Sequence, residues 1–292
     1  MNVRRATTAL AIGALLLAPA SMARAQDTAT AEMVDTTQLR ICADPNSLPY
    51  SNEKLEGFEN RIASLLGKEL GIPVTYTWYP NTTGFIRNTL AALKCDLIMG
   101  VTSVNELLQN SNPYYTSTYA FVQREDIDTT ITSFDDPALR DMTIGVVART
   151  PPVTVLANRN LLDRMRSYAL EADSRYHAPV QDLLHDVARG IVDVGIVWGP
   201  IAGYWSEHVD APLKVTPIVG SPDGVRMQFN ISMGLRHGEP DWKHRINTLI
   251  RRNQAEINAV LQEYRTPLID RQGKLIPTAE GSPSDPATGK AG

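Results

Sequence analysis

The chain has 292 residues, 43% of them apolar and 21% charged, with a formal net charge of −4. An acidic balance disfavours nucleic acid and anionic membrane surfaces as partners and suits a basic protein partner. No apolar stretch is long enough to serve as a membrane anchor, and the length suits one large domain or two modest lobes with a core each.

Arg4 and Arg5 precede an apolar run from Ala9 to Leu17, and Ala23-Arg24-Ala25 has the small-x-small pattern that signal peptidase reads. Residues 1–25 are therefore expected to be an export signal, cleaved after Ala25. Ala6-Thr7-Thr8 lacks the apolar continuation of a twin-arginine signal, which favours the general secretory route. The expected location is the periplasm of a Gram-negative cell. Loss of Arg4, Arg5 and Arg24 takes the formal charge from −4 to −7.

A short apolar strand, Leu39-Arg40-Ile41-Cys42, runs into a loop, Ala43-Asp44-Pro45-Asn46-Ser47-Leu48-Pro49-Tyr50, that is closed by Gly57-Phe58-Glu59-Asn60. Such a loop above a helix builds one wall of a ligand cleft, because ligands lie beyond the carboxyl ends of strands in open α/β sheets. Phe58, Ile62, Leu65, Leu66 and Leu70 make one helical face that stops at Gly71. Val74 to Tyr79 is β-rich. Thr82 or Thr83 can cap a second helix carrying Phe85, Ile86, Leu90 and Leu93, and Asp96 to Gly100 is a short apolar strand. This β-α-β-α-β order calls for a parallel sheet.

Cys42 and Cys95 sit in an oxidising compartment, where a disulfide is the default reading. Closing a loop of about 54 residues would stabilise by roughly 4 kcal/mol. Two buried free thiols are the alternative: Cys42 lies late in its strand and Cys95 precedes its own, an offset that can exceed the ~7 Å limit on Cα separation.

Tyr114 to Gln123 reads as a longer extended segment, Met142 to Val147 as a strand, and a helix follows Thr150-Pro151-Pro152. Val180, Leu183, Leu184, Val187, Ala188 and Ile191 form a helical stripe. Asp193 to Trp198 is a buried strand, Phe229 to Leu235 returns to β, and a long final helix carries Trp242 through Tyr264. Crossings near Phe121 to Glu125 and Val219 to Val225 would divide the chain into lobe one (36–123 and 224–268) and lobe two (124–223). Two crossings permit hinge closure around a ligand. From 270 to 292, Pro, Gly, Ser and Thr with few apolar residues indicate a disordered tail.

Gly57-Phe58-Glu59, Cys95-Asp96-Leu97-Ile98-Met99-Gly100, Pro113-Tyr114-Tyr115 and Asp193 through Trp198-Gly199-Pro200 resemble a type II periplasmic solute-binding protein. Cys42-Ala43-Asp44-Pro45-Asn46, Leu48-Pro49-Tyr50-Ser51-Asn52, the alternating run from Tyr114 to Val122 and Trp198 to Tyr204 narrow the resemblance. They are similar to the subfamily associated with PQQ-dependent methanol dehydrogenases, the MxaJ/XoxJ type. The resemblance spans about residues 38 to 265. It implies a two-lobed α/β type II periplasmic-binding-protein fold, each lobe a mainly parallel sheet flanked by helices. It also implies a non-catalytic accessory protein that binds the dehydrogenase, with its cytochrome c as a further partner, and assists its maturation or activation.

Amino-acid receptors of this fold hold the substrate carboxylate with an arginine and its amine with an aspartate. Aligned on Pro113-Tyr114 and on Asp193 and Pro200, those places fall at Val104 and Trp198, and no arginine lies between Met99 and Pro113. A charged ligand taken out of water needs paired partners, so an α-amino acid is a poor candidate. Aromatic residues replace the charges: Tyr50, Trp78, Tyr79, Tyr114, Tyr115, Trp198 and Trp205 fall near loops that can face the cleft. Trp205 and Tyr119 fit a lobe core equally well. Asp44, Asn46, Ser51 and Asn52 are candidate polar contacts, or simply turn formers beside prolines. Thr150 is expected as a helix N-cap before Pro151, a helix start that binds an anion in related receptors.

The five histidines, at 177, 185, 208, 237 and 244, show no metal spacing. Asp44-x-Asn46-x-Leu48 fails as a calcium loop because Leu48 and Pro49 stand where an oxygen ligand and a glycine belong. There is no Cys-x-x-Cys-His haem site, nucleophile elbow or phosphate loop, so no cofactor and no metal are expected. The alternative function is a solute-binding receptor of an ABC importer for a small uncharged or aromatic ligand. An enzyme on this fold would need a buried acid–base group in the cleft. Glu59 is the one candidate, and it also suits support of the first helix's N-terminus.

Overall fold

A computed structural model describes residues 33–277 except positions 171 and 177. The export signal and residues 278–292 lie outside the described residues.

The first strand, β1 (Leu39–Ala43), ends in a tight hairpin of β2 (Asn46–Ser47) and β3 (Ser51–Asn52), and α1 (Phe58–Leu70) follows. Phe58, Ile62 and Leu66 bury one face of α1, and Gly71, at φ 68°, closes it in the left-handed conformation that favours glycine. Then come β4 (Val74–Trp78), α2 (Phe85–Asn88), β5 (Leu97–Thr102), β6 (Gln109–Asn110) and the long β7 (Tyr115–Arg124). The second half continues through β8 (Ile144–Val147), α3 (Pro151–Asn158), β9 (Met165–Tyr168), α4 (Pro179–Ala188), β10 (Val194–Trp198), α5 (Gly199–Trp205) and β11 (Leu213–Pro217). The chain returns through β12 (Gln228–Leu235), α6 (Pro240–Arg252) and α7 (Gln254–Glu263).

The strands order as β4-β1-β5-β12-β7-β10-β8-β9, with β11 beside β7 and β6 beside β12. β1 runs parallel to β4 and β5, and β8 runs parallel to β9 and β10, so each lobe keeps a parallel core. β7 belongs to both. Its first residues, Tyr115–Thr118, pair with β12, whereas Tyr119–Arg124 pair with β10 and β11. The crossings therefore lie at Thr118–Tyr119 and at Met227–Gln228, not at Phe121–Glu125 and Val219–Val225. Phe121 and Met227 are already buried in the second lobe's core. The two crossings are tied together: Tyr119 N donates to Met227 O (3.2 Å), and Thr118 Oγ1 lies 3.3 Å from the same carbonyl.

Three other expectations are corrected. The second helix is a single turn whose N-cap residue is Gly84, at φ 96°, not Thr82 or Thr83, and Leu93 is exposed beyond it. The final helix is two helices that break at buried Asn253, whose side chain donates to Leu249 O (2.9 Å) and so competes with the helical ladder. Residues 270–277, read as the start of a disordered tail, turn back on the body: Ile269 bridges Leu275, and Ile276 N donates to Leu268 O (2.8 Å).

Asp96, almost fully buried, anchors lobe one from below. Arg40 and Arg236 each reach it at 2.6 Å, joining β1, the entry to β5 and the end of β12. Cys42 and Cys95 form a disulfide, with Cα atoms 5.5 Å apart. The offset is absorbed because the segment entering β5 passes beside β4. Lys94 O accepts from Thr77 Oγ1 (3.0 Å), and Thr77 is the residue paired with Cys42. The double substitution Cys42→Ala/Cys95→Ala is expected to lower the unfolding free energy by up to about 4 kcal/mol. Urea unfolding under oxidising conditions measures this, and an unchanged midpoint would contradict it.

Candidate functional site

Beyond the carboxyl ends of β1 and β5 lies a cavity of about 220 Å³ between the lobes. Backbone packing sets its wall. A Cβ on Gly57 would lie 2.0 Å from Tyr50 O, so only glycine lets the loop after β3 pass there. Asn60 Oδ1 accepts from Gly57 N and Asn52 N, both at 3.2 Å, and Glu59 N donates to Tyr50 O at 2.9 Å. Glu59 is thereby fixed on the first turn of α1 with its carboxyl against Gly100. Gly100 has φ +71°, and a Cβ there would meet Glu59 Oε1 at 2.2 Å, so both the conformation and the space require glycine.

Asp44 organises the rest. Its Oδ1 accepts from Asn46 N (2.9 Å) and its Oδ2 from Asn81 N (2.6 Å), which joins the loop after β1 to the loop after β4. Oδ1 also accepts from Ser174 Oγ (2.5 Å), and Ser174 O accepts from Asn46 Nδ2 (2.8 Å). Ser174 belongs to the second lobe, so these two bonds close the mouth. A third tie runs from Trp205 Nε1 to Leu48 O (3.2 Å).

The predicted residues separate. Asp44, Tyr50, Tyr115 and Trp198 line the cavity together, with Cys42 in its wall. Trp198, at the end of β10, packs edge-on against Tyr119 (5.3 Å between centroids) and Phe229 (6.0 Å). Asn46 holds the rim. Tyr114 lies buried behind the wall, where its hydroxyl accepts from Gly100 N (3.2 Å). Trp78 is elsewhere, stacked on Tyr76 along β4 (4.7 Å, interplanar angle 6°).

Thr150 lines a separate groove with Arg149, Val153, Val225 and Arg226. It is the N-cap residue of α3 with Pro151 following, as expected, but its hydroxyl donates back to Val147 O (2.6 Å) and makes no side-chain cap bond. Pro151 and Pro152 remove two N–H donors from that helix start, which weakens it as an anion site. Val104 is exposed and faces a larger groove of about 870 Å³ along residues 268–273. Sequence reasoning missed Ser174 and Asn81, which reach the site only through folding.

No lysine, arginine or histidine among the described residues lines the cavity. Burial pushes the Glu59 carboxyl up to about 8 from an ordinary 4.5, against a smaller lowering by the Tyr114 hydroxyl, and the nearby Asp44 charge adds a little to the rise. Glu59 therefore keeps its proton at neutral pH. Burial likewise holds Tyr50, Tyr114 and Tyr115 neutral, well above the usual tyrosine range. Among the described residues, no group of three or more histidines, cysteines or carboxylates is placed to hold a metal ion, and no helix is long and apolar enough to cross a membrane.

Bacterial extracellular solute-binding proteins, family 3, match residues 39–266 of the chain. Protein MoxJ of Methylorubrum extorquens is 29% identical over 295 residues, spanning 92% of this chain and 98% of the relative. Protein MoxJ of Paracoccus denitrificans is 28% identical over 267 residues, spanning 82% and 92%. Among solved structures, the periplasmic binding protein XoxJ from Methylobacterium extorquens AM1 is 37% identical, with a TM-score of 0.68 over 80% of this chain and 99% of that one. MxaJ from Methlophaga aminisulfidivorans MPT is 26% identical, with a TM-score of 0.71 over 79% and 100%.

The raised Glu59 value links stability to pH. Above about 4.5 the unfolded carboxyl ionises, while the folded one stays protonated to about 8, so the folded chain loses stability as pH climbs between them. Glu59→Gln is expected to match the parent below pH 4.5 and to exceed it by on the order of 4 kcal/mol at pH 8. Urea melts at both pH values measure the gap, and a constant difference would refute the assignment.

Proposed function

The chain belongs to the bacterial extracellular solute-binding proteins, family 3, and we propose that it serves as a non-catalytic periplasmic accessory protein of a PQQ-dependent methanol dehydrogenase. In this reading it binds the dehydrogenase, with the cytochrome c as a further contact, and assists maturation or activation in methanol oxidation. One observation carries the departure from amino-acid transport: the interlobe cavity has no cationic side chain among its described lining residues. A free α-amino acid would leave its carboxylate unpaired there. Similarity to MoxJ over 92% of this chain, and to XoxJ and MxaJ over 80% and 79% of it, supports placing the chain in this system.

The size of the cavity limits how a partner engages. An apolar cavity of about 150 Å³ accommodates a molecule the size of benzene, so 220 Å³ admits one side chain or a small guest, not a run of polypeptide. A partner segment enters only after Ser174 leaves Asp44, with the two crossings as the hinge. Tyr50, Trp198 and Tyr115, with Asp44 and Asn46 at the rim, are then the contact residues. Thr150, Tyr114 and Trp78 are outside that surface.

Capture from periplasmic extract tests the reading. The mature chain is expected to retain the dehydrogenase, and Trp198→Ala or Tyr50→Ala to reduce capture at least tenfold. Micromolar binding of amino acids or sugars, with no capture of apo-dehydrogenase by the parent chain, would overturn it.

A further inference from the structure

We propose that the interlobe cavity is a site for a small organic cation that carries no carboxylate, an alkyl- or tetraalkylammonium ion. It would be held among the rings of Tyr50, Tyr115 and Trp198 and by the carboxyl groups of Asp44 and Glu59. The inference rests on the cavity being a working ligand site.

The enclosure is one positive charge short. Two carboxyl groups and three electron-rich rings surround it, and no lysine, arginine or histidine among the described residues faces it. Asp44 is well supplied with donors: two backbone N–H groups and the Ser174 hydroxyl. Glu59 is not. It is nine-tenths buried and lines the cavity, and its polar neighbour is the Tyr114 hydroxyl, which itself accepts from Gly100 N. A carboxylate offers about four lone-pair directions, and Glu59 draws on the Tyr114 hydroxyl where Asp44 draws on three donors.

The chain meets this shortfall by leaving a proton on Glu59. A bound cation would replace that proton: Glu59 releases it to solvent, and the ligand's charge takes its place beside the carboxylate. Aromatic rings around a desolvated ammonium add attraction through their negative faces. The same cavity rejects an attached carboxylate, because no side-chain cation among the described residues lines it and the start of α3 lies on a separate groove. Its volume of about 220 Å³ suits a compact ion.

Calorimetric titration of the mature full chain at pH 8 tests this, with tetramethylammonium as probe, tert-butanol as neutral counterpart and glycine betaine as the carboxylate-bearing one. Tetramethylammonium is expected to bind one per chain, at least tenfold tighter than either comparator. Glu59→Gln, which should fold at least as stably, is expected to weaken it tenfold or more, and Trp198→Leu likewise. Equal binding of tert-butanol or betaine, full affinity in Glu59→Gln, or no saturable binding of the cation would overturn the proposal. Dehydrogenase capture is a separate readout: its loss with cation binding intact defeats the accessory reading alone, and the reverse defeats the cation alone.

Discussion

Two carboxyl groups share one cavity that no lysine, arginine or histidine among the described residues lines, and the arrangement of the whole cleft follows from how the chain tolerates this. Asp44 keeps its place by accepting from the backbone of two loops and from a hydroxyl of the opposite lobe. Glu59 keeps its place by staying protonated. A buried carboxylate with no partner would cost several kcal/mol, so burial keeps Glu59 in its acid form, and the glycines at 57 and 100 leave the space that its position requires.

The same residues connect the lobes. Ser174 contributes both its hydroxyl and its carbonyl to lobe one, and Trp205 adds a third tie through Leu48. Further along the seam, Gly203 comes so close to Arg265 that a Cβ would sit 2.0 Å from its carbonyl oxygen, and Tyr204 stacks on Tyr264 at 5.9 Å. Closure in this chain is made by protein groups meeting protein groups. A ligand or a partner must therefore compete with a hydroxyl already seated on Asp44.

Much of this was legible in the residues. The stripes of α1 and α4, the apolar strands β5 and β10 and the aromatic loop after β1 carry strong periodicity or punctuation, and they stand where their patterns place them, except that Ile191 lies exposed beyond the end of α4. The edge strands β9 and β11 were missed because Met165-Arg-Ser-Tyr and Leu213-Lys-Val-Thr-Pro are short and polar, as strands with one free side can be. The break at Asn253 was hidden because the apolar spacing continues through it. The latch had no local signal at all, since Ser174 and Asp44 are 130 residues apart.

Glu59 is the instructive residue. Its position at the start of a helix suggested support for the helix dipole, and proximity to Gly100 and Asp44 turned it into part of the cavity wall. Carbon-13 NMR titration of the Glu59 carboxyl in the folded chain tests the account most directly. A midpoint near 8 is predicted; a midpoint near the ordinary 4.5 would mean that the cleft is wet or carries a counter-charge, and the account would fail.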